Sequence, residues 1–142
     1  MMYIAVNYLA VIIAAIVNMV VGFLWFGPIF GKQWIAMMGW TAQQMDSAKK
    51  QSMTKSYIFA LIGSLLSAFV LAELTVVLAS YLNLTGVMAG LKAGFLGWVG
   101  FAMPVLLGTV LWENRTWKLW GLNVAYYLVA YVVMGLIVGY WM

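Results

Sequence analysis

Apolar residues fall along this chain in four long runs separated by short polar breaks. The runs cover about residues 3–26, 57–82, 86–112 and 117–141. Each supplies the roughly 20 apolar residues that an α-helix needs to cross a hydrocarbon core of about 30 Å. None shows the strict alternation of a barrel strand. Inside lipid a helix also satisfies its own backbone hydrogen bonds. The pattern predicts an all-α, integral membrane four-helix bundle, with residues 1–142 forming a single transmembrane domain. Trp25, Tyr57, Trp112, Trp117, Trp120 and Trp141 lie near the ends of the runs, where amphipathic rings favour the headgroup level.

The only polar segment of any size covers about residues 27–56. Its first part, Ile29 to Met38, mixes aromatic and basic residues and suits the membrane interface. Thr41-Ala42-Gln43-Gln44 has the form of a capping box. In such a box the Thr hydroxyl and the Gln side chain satisfy free amides at a helix start. A polar helix from about Ala42 to Met53, running into the second span, is expected.

Composition agrees with the periodicity and removes whole classes of function. Hydrophobic residues make up 67% of the chain and charged residues 7%, against roughly 45–50% and about 25% in a soluble domain. An ordinary cytosolic enzyme and a disordered protein are excluded. With no His and no Cys there is no imidazole proton shuttle and no His/Cys metal site, and no nucleophile–base pair is visible. The expectation is no enzyme, no metal and no cofactor. The first run lacks a basic flank and is too long for a secretory leader, so it is expected to remain as a helix.

Charge supplies orientation. Lys32, Lys49, Lys50 and Lys55 lie in loop one, Arg115 and Lys118 in loop three, and only Lys92 on the opposite side. The positive-inside rule then puts loops one and three in the cytoplasm and both termini outside. The formal net charge of +4 is a topology signal: the basic residues flank spans, so no nucleic-acid partner is expected.

The helix faces carry the candidate sites. At about 100° per residue, Gly86, Gly90, Gly94, Gly97, Gly100 and Gly108 fall on one side of the third span, with Pro104 among them. Such a stripe allows close helix packing, or it forms a smooth pore wall or a hinge near Pro104. Gly121, Ala125, Leu128, Val132, Gly135 and Gly139 form a similar stripe on the fourth span, and the two stripes are candidates to pack together. Asn7, Val11, Ala14, Asn18, Val21 and Trp25 share a seam on the first span. Buried amides need partners, so Asn7 and Asn18 should face protein. Asn123 and Tyr127 stand four apart on the fourth span, where they can bond to each other or share a target.

Glu73 lies well inside the second span, and an intramembrane carboxylate is a candidate functional group. A tight turn near Asn83 would bring Glu73 and Lys92 to similar depth. Either the two charges meet or the small faces of spans two and three meet; the options are an ion pair or a snorkelled Lys92 on one hand and a protonatable Glu73 in a cavity on the other.

There is an internal echo as well. Leu24-Trp25, Lys32 and Trp34 recur as Leu111-Trp112, Lys118 and Trp120. A true duplication would give two parallel helical-hairpin repeats about an axis along the membrane normal.

The segment Trp25-Phe26-Gly27-Pro28-Ile29-Phe30-Gly31-Lys32-Gln33-Trp34 resembles the first-loop signature of a bacterial membrane family, domain of unknown function seventeen sixty-one. Lys55-Ser56-Tyr57, Trp98-Val99-Gly100-Phe101, Glu113-Asn114-Arg115, Asn123 with Tyr127, and Met134-Gly135 extend the resemblance in order along almost the whole chain. Phe26 stands where the pattern has Tyr, and Glu73 belongs to none of the matched motifs. The resemblance implies a small four-span protein of the bacterial inner membrane and no particular activity. Three functions stay open: a small-solute or ion transporter or channel acting as a homo-oligomer, a non-catalytic structural or assembly protein, and, last, a membrane enzyme. Unused small and polar stripes on all four spans point to lipid and a second copy of the chain as its partners.

Overall fold

A computed structural model describes residues 5–142. It is 86% helical, with no strand among the described residues. The chain forms α1 (Tyr8–Leu24), a π-turn (Trp25–Ile29), α2 (Gly31–Met38), α3 (Ala42–Lys50) and α4 (Thr54–Leu82). It continues as α5 (Gly86–Gly97), a second π-turn (Trp98–Ala102), α6 (Met103–Leu111) and α7 (Trp117–Tyr140). Four helical stretches, Tyr8–Ile29, Thr54–Leu82, Gly86–Leu111 and Trp117–Tyr140, are long and apolar enough to cross a membrane.

The first span starts later than its apolar run. Asn7 is extended, with φ −80° and ψ 99°, and its side chain accepts the backbone N–H of Ala10 at 3.2 Å. A short amide side chain that can bond to nearby backbone caps a helix more readily than it continues one. Asn7 is therefore an exposed N-cap and not a buried amide of the seam. Its Nδ2 donates to the Trp141 carbonyl at 2.9 Å, tying the start of α1 to the end of α7. Tyr3, where the apolar run begins, lies outside the described residues. Loop one also differs from expectation. Thr41 and Gln44 form the capping box, with bonds of 3.2 and 2.9 Å. The helix stops at Lys50, however, and extended backbone at Gln51 separates it from α4.

In the bundle α1 packs on α4 and α7, α5 packs on α4 and α7, and α4 and α7 also touch across the diagonal. The core is built largely of alanine: Ala10, Ala14, Ala15, Ala68, Ala72 and Ala93 surround Leu71, Val138 and the fully buried Met134. Small side chains let helices approach where lipid provides no hydrophobic drive. The bulky residues Leu66, Phe101, Val105 and Tyr140 are 64–76% exposed and turn outward. Thr75 is buried and returns its hydroxyl to the Leu71 carbonyl at 2.6 Å, so it needs no partner on another helix.

The closest helix pair is α5 with α7. A Cβ at Gly90 would run into the carbonyl of Gly135, and one at Gly135 into that of Gly90; Gly86 and Gly139 block each other in the same way. Gly94 meets the Tyr131 backbone, with the carbonyl carbon 2.9 Å from a Cβ built there. The glycine stripes of spans three and four thus meet, but only over part of their length. Gly97 faces the Tyr131 ring and Leu71, Gly100 and Gly121 face open space, and Gly108 lies only near Trp112 of its own segment. The second π-turn explains the break. One extra residue in the turn shifts the helix phase by about 100°. Gly100 and Gly108, which follow Trp98, are thereby rotated off the α7 seam. Pro104 sits in the first turn of α6, where its missing N–H does no harm.

The positions of the internal echo lie in different elements. Trp34 belongs to the loop helix α2, whereas Trp120 lies inside the span helix α7.

Candidate functional site

The first-loop signature folds back onto the bundle. Pro28 offers no backbone N–H, so the α-helical ladder cannot continue through it. The chain widens into the π-turn, in which the N–H of Phe30 donates to the Trp25 carbonyl at 2.9 Å. Gly31 is buried, and a Cβ there would lie 2.9 Å from the Phe26 carbonyl oxygen, so the turn into α2 requires glycine. Gly27 meets nothing within 4 Å and carries no such demand. Past the turn, α2 ends at Gly39 in the left-handed region, with φ +66°. Arg115 of loop three donates from Nη1 to the Met38 carbonyl at 3.0 Å, holding the two loops together.

This folding creates a file of aromatic rings. Trp40 meets Trp34 at 5.4 Å, Trp34 meets Phe26 at 5.5 Å, and Phe26 meets Tyr126 at 5.0 Å. Tyr126 then meets Tyr127 at 5.0 Å, and Tyr127 meets Tyr131 at 6.4 Å. Most of these pairs cross edge to face, the arrangement that the ring quadrupole favours. Trp25 packs on Phe30 and Tyr126, and its buried indole N–H has no acceptor among the described residues. The Phe26 ring serves as the link between α2 and α7.

The file runs into a cleft between α1, α4 and α7. Asn18 Nδ2 donates to Ser64 Oγ at 2.6 Å, and the Tyr126 hydroxyl donates to Asn18 Oδ1 at 3.3 Å. Close approach of Tyr126 needs a small residue on α1: a Cβ at Gly22 would stand 3.1 Å from the Tyr126 hydroxyl. Asn18, Ser64, Ser67, Tyr126, Tyr127 and Tyr131 supply the polar lining of a cavity of about 320 Å³, and no charged side chain lines it. The three bonded elements reach it at one depth. Asn18 stands eleven residues from Ile29, Ser64 ten from Thr54 and Tyr126 nine from Trp117. At 1.5 Å per residue this is about 15 Å from the loop-side ends, half of a hydrocarbon core of about 30 Å.

Of the amides singled out in the sequence, only Asn18 joins this network. Asn7 caps α1, and Asn123 neither lines the cleft nor bonds to Tyr127 among the described residues. Tyr126, one residue from the motif member Tyr127, makes the contact instead. It was legible only as one more aromatic on the fourth span. Also unforeseen was the pairing of two Trp-x-Gly triplets, Trp25-Phe26-Gly27 and Trp98-Val99-Gly100, each opening a π-turn. Trp98 Nε1 donates to the Val124 carbonyl at 2.9 Å, so both turns direct a Trp at the stretch of α7 beside the cleft.

Glu73 and Lys92 lie elsewhere. Lys92 is exposed in a groove with Leu84, Met88, Leu91 and Phe95, and Glu73 is half-buried on α4. They form no salt bridge with each other. Neither arrangement open to spans two and three is found as expected: the charges do not meet, and the glycine stripe of the third span packs on the fourth instead of on the small face of the second. No group of His, Cys, Asp and Glu side chains suited to a metal ion occurs among the described residues.

Four apolar spans around a polar mid-depth cleft define a multi-pass α-helical membrane protein. The family model described as protein of unknown function (DUF1761) matches residues 9–139. The chain belongs to that family. No curated protein and no solved structure matches it.

Proposed function

We propose that the protein carries a small uncharged solute across the bacterial inner membrane, working as a homo-oligomer with the α1–α4–α7 cleft as its binding site. The carrying observation is that cleft: hydroxyl and amide groups at mid-depth, about 320 Å³ in volume, with no charge in the lining. Polar groups inside a bilayer mark solute paths when they line a cavity. Sites for small molecules combine apolar walls with a few placed polar groups. The absence of charge favours a neutral, hydrogen-bonding solute over an ion. Ser64 is bonded to an amide and Ser67 has no base beside it, which supports binding and transfer over catalysis. The distribution of basic residues supports cytoplasmic loops one and three and external termini.

The test is osmotic. Proteoliposomes are shrunk in glycerol, erythritol or urea, and reswelling is followed by stopped-flow light scattering. Wild type should reswell faster than empty liposomes for at least one solute, and Asn18→Leu should remove most of the gain. Rates equal to those of empty liposomes for all three would reject the reading and leave a structural or assembly role.

A further inference from the structure

Glu73 and Lys92 are each turned away from the core of their own copy. On α4 the buried positions Ser64, Ala68, Leu71, Ala72, Thr75 and Ala79 share one side. Glu73 lies about 150° around the helix from their centre. On α5 the buried positions are Ala89, Gly90, Ala93, Gly94 and Gly97, and Lys92 lies about 130° from theirs. Both are inside spans. Glu73 is nine residues from the end of α4 and Lys92 six from the start of α5, about 14 and 9 Å below one rim. A lysine stem covers that difference in depth and can also reach the rim by itself. Glu73 has a short side chain and no such escape. The face that they frame is apolar and open: Leu66, Val70 and Val77 on α4 and Met88 and Phe95 on α5 are 46–64% exposed.

We infer that this α4–α5 face is the contact between two copies of the chain, with Glu73 of each copy paired to Lys92 of the other. A two-fold axis along the membrane normal preserves depth and brings the same patch of each copy against itself. Each copy offers one acid and one base at matching depth, so a second copy is complementary in charge, and one contact satisfies two carboxylates. Unpaired, each half-buried carboxylate would keep its open side toward lipid. The inference deepens the homo-oligomer of the proposed function, but it does not depend on transport. A failed flux assay leaves it standing, and a monomer refutes it while leaving the cleft untouched.

Association is measured in lipid nanodiscs and by native mass spectrometry from lipid, on wild type, Glu73→Lys, and Glu73→Lys with Lys92→Glu. Wild type should be dimeric. Glu73→Lys should raise the dissociation constant at least tenfold, and the charge swap should return it to within threefold of wild type. The chain has no Cys, so an oxidant should crosslink Val77→Cys across the dimer and leave Val129→Cys, exposed on α7, uncrosslinked. A monomeric wild type, including one that retains lipid on Lys92, overturns the inference. So does a swap that restores thermal stability without moving the dissociation constant, since that result would place the pair within one copy.

Discussion

Replacing Gly90 by alanine tests the account of how the bundle is held together. The new Cβ would lie 2.8 Å from the Gly135 carbonyl carbon and 3.2 Å from the Gly139 Cα, with the Gly135 oxygen nearer still. All three are backbone atoms, so no rotamer change relieves the contact. Carbon pairs are content at about 3.5–4.0 Å, and α5 must therefore retreat from α7 by about 1 Å. A gap of that size forfeits a quarter to a half of each atom-pair attraction of about 0.1–0.2 kcal/mol. Over on the order of 50 pairs along the seam, about 2.5 kcal/mol is lost, within the range of about 1–3 kcal/mol for overpacking. Higher helix propensity returns about 0.8–1 kcal/mol, so the expected net loss is about 1.5 kcal/mol, a roughly tenfold shift toward the unfolded form. Gly100 is the control. A Cβ there meets nothing within 4 Å, and Gly100→Ala should stay within about 0.5 kcal/mol of wild type. Reversible unfolding in mixed micelles, driven by sodium dodecyl sulfate and followed by tryptophan fluorescence, measures both. Equal midpoints for the two variants would refute the reasoning, because they would mean that the α5–α7 contact does not limit stability.

Three further outcomes are expected. Arg115→Met removes the donor to the Met38 carbonyl and should weaken the tie between loops one and three by about 1 kcal/mol, read as faster hydrogen exchange over residues 31–40. Thr41→Ala opens the capping box at about 1 kcal/mol; exchange should rise at the Gln44 amide while α4 is unaffected, and parallel changes in α4 would contradict the break at Gln51. A single Cys at Ser47 should be shielded from impermeant reagents in intact cells and one at Thr85 should react, and the reverse pattern would invert the topology.

Periodicity and composition alone determined the solvent, the number of spans and the helical class, because each depends on local features: the length of an apolar run and the absence of strand alternation. The glycine stripes were legible for the same reason, since a stripe is a property of one helix. How far each stripe is used was not. Gly86, Gly90 and Gly94 meet α7, whereas Gly100 and Gly108 do not, because the π-turn at Trp98 changes the helix phase and no periodicity count anticipates an inserted residue. Asn7 and Asn18 looked equivalent on a single seam. Tertiary structure made one a cap facing the Trp141 carbonyl and the other the centre of a three-helix network. An amide's role depends on which partner comes within about 3 Å, and that partner lies 46 residues away at Ser64 and 108 away at Tyr126. The carboxylate that stood out in the sequence, Glu73, is outside the cleft for a related reason. Sequence reveals that a charge is inside the membrane, but only the packing of α4 on its neighbours decides which way it points.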